Sequence, residues 1–191
     1  MIRYAITVSD IEDGESKFDE IPSDKILLEI KFVKEKSDTP AEKKKVVPEV
    51  PAGLRLIINS DCMSCHQFRD RLIGPSFGEI AARYVREPGA GDKLAASIRN
   101  GSTGVWGETL MPAHPDIDND AGQKIAEWIL KAAVDTKLNY IAGKEGTFRL
   151  EIPEGESEGF FMLRAIYTDK GLPENPADVR TGQHVVIIRH Q

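Results

Sequence analysis

Cys62, Cys65 and His66, in the run Cys62-Met63-Ser64-Cys65-His66, are the residues whose types and spacing best fit a chemical role. Two thiols with two residues between them lie about one helical turn apart, which lets them add to the two vinyl groups on one edge of a haem. The next residue then brings an imidazole beneath the iron as the proximal ligand. Two other uses of such a pair are weaker. A structural zinc site needs a second Cys or His pair, and the chain has two cysteines and no such pair elsewhere. A redox dithiol wants a strand–helix–strand setting and leaves His66 without a role. Only four of 191 residues are histidine, so one standing directly behind a C-x-x-C is seldom chance. The expected cofactor is one covalently bound haem c. With two cysteines three positions apart, no disulfide framework is expected.

A haem that passes electrons without binding small molecules wants a second axial ligand, and a thioether favours the reduced iron. Met111 is the candidate, in the Pro-containing run Leu110-Met111-Pro112-Ala113-His114-Pro115. Met63 lies inside the attachment loop, and Met162 falls in a strand-like run elsewhere. A methionine taken alone is more often core filler. The place of Met111 beside Pro112, outside any helical stripe, favours ligation. The metal ligands expected are therefore His66 and Met111, and no catalytic residue is expected.

These residues need elements to hold them. Residues 53–136 show helical period: Leu54, Ile57 and Ile58 share a face, Phe77, Ile80, Ala81 and Tyr84 follow i, i+3, i+4, i+7, and Ile125, Trp128, Ile129 and Ala132 form a third stripe. Asp118 or Asn119 caps the last of these helices, and a shorter helix runs through Leu94 and Ile98. Residues 1–36 read as β structure, with alternation over Tyr4–Val8, a turn at Asp13-Gly14 and a second strand over Lys25–Val33. Residues 37–52, rich in Lys, Glu and Pro, read as a solvated linker. From about residue 137 the pattern returns to strands, in TFRLEI, GFFMLRAIYTD and QHVVIIR. The fold class expected is α+β and multidomain: an all-α haem domain with a β-sandwich-like accessory domain, in which five strands from the two ends pair around the helical insert. Two strands alone make no stable domain.

Composition is that of a globular protein, 40% hydrophobic and 29% charged. The net charge of −6 offers no basic patch for nucleic acid, and no apolar run reaches the roughly 18 residues of a membrane span. MIRYAITVSD lacks the basic region and apolar core of a secretory signal. Haem attachment in bacteria takes place outside the cytoplasm, so these residues are expected to be a piece of a longer exported protein, periplasmic or extracellular.

The stretches SDCMSCH, GPSFGEIAARY, LAASIRNGSTGVWG, LMPAHP and IAEWILK, in this order and spacing, resemble the short bacterial class I cytochromes c from Gly53 to about Ala133. The resemblance implies thioethers at Cys62 and Cys65, His66 as proximal ligand, Pro75 offering its carbonyl to the His66 ring, Trp106 reaching a haem propionate, and Met111 as distal ligand. Two positions depart from the pattern. Ser97 stands where an Arg often holds a propionate, and His114 stands where an Asn often donates to the methionine sulfur. Trp128 reads as packing, and His184 and His190 have no evident role.

The flanks resemble something more loosely. YAITVSDIEDG is similar to the end of a PKD-like or Ig-like module, and the order from there to RAIYTDKG resembles the carboxy-terminal part of modular exported sugar dehydrogenases. That implies a redox partner protein or a fused dehydrogenase domain as electron source. Two rival readings stand beside this one: a haem enzyme or gas sensor with an open sixth site, and a carbohydrate- or partner-binding module that carries a haem.

Overall fold

The computed structural model describes residues 1–34, 49–172, 174–175 and 178–189. Most of the expected linker, and His190, lie outside the described residues. The chain divides into two compact units, one of residues 1–49 with 136–191 and one of residues 50–135.

Among the described residues the β unit contains eight strands: β1 (Ile2–Ala5), β2 (Ser9–Asp10), β3 (Gly14–Glu15), β4 (Ile26–Lys34), β5 (Leu138–Ala142), β6 (Glu145–Phe148), β7 (Gly159–Thr168) and β8 (Thr181–Arg189). Four of them form an antiparallel sheet in the order β5-β4-β7-β8, while β1 pairs with β6 and β2 with β3. β4 therefore takes both of its neighbours from beyond the helical unit, with Leu28 opposite Ile141 on one side and Ala165 on the other. Leu28, Ile30 and Phe32 alternate onto one face of β4 and are buried with Phe148 and Phe161, and Ile2 and Tyr4 of β1 pack against them. Phe161 and Tyr167 of the aromatic run in β7 are core residues.

Five strands were expected from the sequence, and the described residues form eight. The run TFRLEI alternates, yet only residues up to Phe148 pair, because β1 has four residues and its register ends at Ile2 opposite Phe148. Leu150 and Ile152 still pack on the core without a ladder, so the alternation there reports burial and not pairing. At the end of the expected linker, Val50 is buried and Ala52 already opens the first helix, because a hydrophobic residue beside a helix start joins the core it abuts.

The helical unit consists of α1 (Ala52–Asn59), α2 (Phe77–Tyr84), α3 (Ala90–Asn100) and α4 (Asn119–Ala132). α4 packs against the other three. Leu54, Ile57 and Ile58 of α1, Phe77, Ile80, Ala81 and Tyr84 of α2, Leu94 and Ile98 of α3, and Ile125, Trp128 and Ile129 of α4 are buried, each set recurring at helical spacing. Asp118 caps α4 by accepting from the Ala121 amide at 2.8 Å. Ser76 caps α2 in a reciprocal box: its hydroxyl accepts from the Glu79 amide, and the Glu79 carboxylate accepts from the Ser76 amide. Among the described residues no helix is long and apolar enough to cross a membrane.

Candidate functional site

α1 stops at Asn59, and Ser60 turns the chain by donating its hydroxyl to the Ile57 carbonyl. A 3-10 turn over Cys62–Ser64 follows, and the His66 amide donates to the Cys62 carbonyl at 2.9 Å, an i→i−4 bond of helical type. This local coil brings both thiols and the imidazole to one cleft of the helical unit.

The chain then doubles back. His66 and Arg71 form a backbone bridge, and the amides of Ile73 and Gly74 both donate to the Cys65 carbonyl. That loop lays the backbone of Gly74 flat on the imidazole: a Cβ at position 74 would stand 2.6 Å from Cε1 of His66. The next residue, Pro75, accepts from Nδ1 of His66 at 2.6 Å. A carbonyl can only accept, so Nδ1 carries the proton and Nε2 keeps its lone pair for coordination. Phe77 stacks on the same ring, centroids 5.6 Å apart and planes within 16°. His66 is buried, and burial holds its pKa below the usual histidine value against the Pro75 bond, which acts the other way, with a smaller lowering by His114. The ring is thus kept neutral, the form that binds a metal.

The facing wall comes from the loop after α3. Gly101 ends that helix with φ +77°, and a Cβ there would stand 2.8 Å from the Met111 carbonyl oxygen. Ser102 and Met111 exchange two backbone hydrogen bonds, 2.8 and 3.1 Å, which close the loop carrying Trp106 and bring Met111 to the cleft. Trp106 meets Tyr84 edge-on, with the Arg83 guanidinium 4.9 Å and the Arg71 guanidinium 6.0 Å from its ring centroid. The two walls are joined by His114, whose Nε2 donates to Asp61, beside Cys62, at 2.9 Å. Its Nδ1 is buried and has no hydrogen-bond partner among the described residues.

Cys62, Cys65, His66, Pro75, Trp106 and Met111 thus line a single cleft, whose remaining lining is largely aliphatic, including Ile80, Leu94, Ile98, Ile125 and Ile129. Ser97 also lines it, but its hydroxyl donates to the Lys93 carbonyl of its own helix. Trp128 is core packing, edge-on to Phe77 and tilted on Phe68. His184 is exposed in the β unit. Sequence reasoning missed Gly74, Phe77 as a stacking partner, Arg71, and the Asp61–His114 pair. The Gly-Pro step after the attachment motif was the one available signal for the first of these. The donor set fits a haem: two thiols, a tautomer-fixed neutral imidazole and a thioether in an apolar slot, with no cluster of three or more His, Cys, Asp or Glu side chains among the described residues to hold a bare metal ion.

The fold and this site define a c-type cytochrome. Cytochrome c-551 of Ectopseudomonas mendocina is 40% identical over 79 residues, covering 41% of this chain and 95% of that protein. Cytochrome c-551 of Azotobacter vinelandii is 40% identical over 78 residues, covering 41% and 94%. Among solved structures, wild-type Nitrosomonas europaea cytochrome c552 is 36% identical, covers 39% of this chain and 93% of that chain, and gives a TM-score of 0.39. No protein-family model matches the chain. The chain belongs to the bacterial cytochrome c-551/c-552 family of class I c-type cytochromes. Its cofactor is one covalently bound haem c, and electron transfer through that haem is the activity that goes with the family.

Proposed function

We propose that the helical unit is a one-electron carrier in which Cys62 and Cys65 would hold the haem as thioethers, His66 and Met111 would ligate its iron, and the indole N–H of Trp106 would meet a propionate. The observation that carries this reading is the His66 ring, buried, pinned through Nδ1–H to Pro75 and sharing its cleft with both thiols and the Met111 thioether. When bound, the haem supplies a one-electron couple. The protein's part is to keep His66 in one tautomer and orientation, which a second-shell hydrogen bond does. The Ser102–Met111 ladder holds the loop that brings the thioether to the cleft, whose remaining walls are largely aliphatic. Both ligands are thereby fixed ahead of any change of charge, so little reorganisation accompanies it.

The wider reading is that this module serves a larger exported oxidoreductase, in the periplasm or outside the cell, taking electrons from a redox partner protein or a fused dehydrogenase domain. The resemblance of the flanks to modular sugar dehydrogenases supports it. The β unit is read as a sandwich-like accessory domain, on the strength of the β1/β6 pair packed over the Leu28–Ile30–Phe32 face.

The test is Met111→Ala in the exported, haem-loaded protein. The parent should keep its haem through denaturing electrophoresis and resist carbon monoxide. The variant should bind carbon monoxide, lose the weak sulfur-to-iron band at the red end of the ferric spectrum, and show a lower reduction potential. A parent that binds carbon monoxide as readily as the variant would return the open-site reading, and haem that leaves on denaturation would remove the covalent assignment.

A further inference from the structure

A haem brings two propionate carboxylates with it, and a cleft built to hold one must meet that charge. Among the described residues that line this cleft, Arg71 is the one Lys or Arg. The other ionisable groups around it are Asp61, His66, Tyr84 and His114, of which Asp61 and His114 are bonded to each other, besides the two cysteines. Ser97 offers no cation, and its hydroxyl is occupied by its own helix.

Arg71 is held in place from two directions. Its backbone is bridged to His66, which ties it to the proximal side of the cleft. Its Nε and one Nη2 proton donate to Oε1 of Glu79, at 3.2 and 2.8 Å, and the second oxygen of Glu79 is fixed by the Ser76 amide and hydroxyl at the start of α2. One long edge of the guanidinium is thereby used, and the Nη1/Nη2 end remains as a second fork of the kind that binds a carboxylate bidentately. Trp106, on the facing loop, lines the same cleft with its ring centroid 6.0 Å from the Arg71 guanidinium.

We infer that Arg71 is a haem-propionate ligand of this protein, taking the carboxylate on its free guanidinium end while Glu79 and Ser76 hold the other edge. The inference rests on the haem reading above. The Arg71 side chain is half-exposed, so solvent screening keeps the pairing moderate in strength.

The experiment uses the haem-loaded protein carrying carboxyl-13C propionates, with each propionate followed by NMR as a function of pH. A cation close to a carboxylate favours its charged form. In Arg71→Gln one propionate should titrate about one pH unit higher than in the parent, and the other should not move. Arg71→Lys keeps the charge without the planar fork and should fall between the two. Arg99→Gln removes a cation of the same unit that does not line the cleft and should match the parent. Unchanged propionate titrations in both Arg71 variants, or an equal change in Arg99→Gln, would overturn the assignment. The visible spectrum and covalent retention of the haem are read on the same samples. A parent without covalent haem would instead count against the haem reading itself, so the two failures are told apart.

Discussion

A single hydrogen atom in place of a methyl group decides how closely the backbone can approach the proximal histidine. At position 74 an alanine Cβ would meet the imidazole of His66 at 2.6 Å, inside any real contact distance, and Phe77 stacks on the same ring. Displacing the ring would strain its bond to Pro75 and its stacking on Phe77. Gly74→Ala is therefore expected to cost about 1–3 kcal/mol, the usual range for overpacking a filled site. It should also change the near-axial ligand field. The denaturation midpoint followed at the Soret band, with the spin state of the ferric protein, checks both. Unchanged spin state together with unchanged stability would mean that the contact relaxes for free. The residues that announced themselves in the sequence are those whose chemistry is specific to a motif: Cys62, Cys65 and His66. Gly74 and Arg71 owe their place at the site to the return of the loop onto Cys65, of which the Gly74-Pro75 step was the one local sign.

At the scale of elements, α1 and α4 cross at Gly53. A Cβ there would stand 2.2 Å from the Lys124 carbonyl oxygen and 2.6 Å from Cβ of Trp128, so two backbones meet at that point. Gly53→Ala must push α1 outward, and with it the turn that delivers Cys62. The expected loss is about 2–3 kcal/mol, toward the upper end for overpacking because one of the opposing atoms is backbone and cannot swing aside. Thermal unfolding of parent and variant measures it. A change below about 0.5 kcal/mol would show that the helices slip past each other at little cost. The helices were legible in the sequence because Leu54, Ile57 and Ile58, or Ile125, Trp128 and Ile129, repeat at their own period whatever lies around them. The strands were less so. β2 and β3 are two residues each, and β5 was passed over because LNYIA is too short to establish a period. Strand identity there depends on partners distant in sequence, as with Ile30 opposite Asn139, which composition does not show.

At the scale of the whole chain, the β unit is discontinuous, and β4 joins its two parts by pairing with β5 and β7. Register across that join is marked by a polar row on the face of β4 opposite Leu28 and Ile30. Glu29 lies opposite Tyr140 on β5 and Arg164 on β7. It accepts from both, and Arg164 in turn donates to Gln183 on β8. Glu29, Tyr140 and Arg164 are each buried, so a one-residue slip would leave a buried charge without its partner, an error that costs several kcal/mol. Burial first, and the Glu29 charge second, push the Tyr140 phenol well above the usual tyrosine pKa. The folded state then holds a proton that the unfolded chain releases above about pH 10. The associated stability is complete below that pH and is lost as pH rises, at about 1.4 kcal/mol per unit for one such group. Tyr167, raised by burial and by Asp13, and Tyr4, raised by burial, act with the same sign. Tyr140→Phe should therefore remove one share of the alkaline slope and keep the rest. Near neutral pH the same variant leaves Glu29 one donor short, at a cost of about 1.5–3 kcal/mol for a bond to a charged group. Urea unfolding from pH 7 to 11, followed by amide exchange in β4, β5 and β7, reads both effects. Parallel stability curves for parent and Tyr140→Phe across that range would mean that the phenol ionises equally in the folded and unfolded chain, and that the row holds register by packing and not by charge.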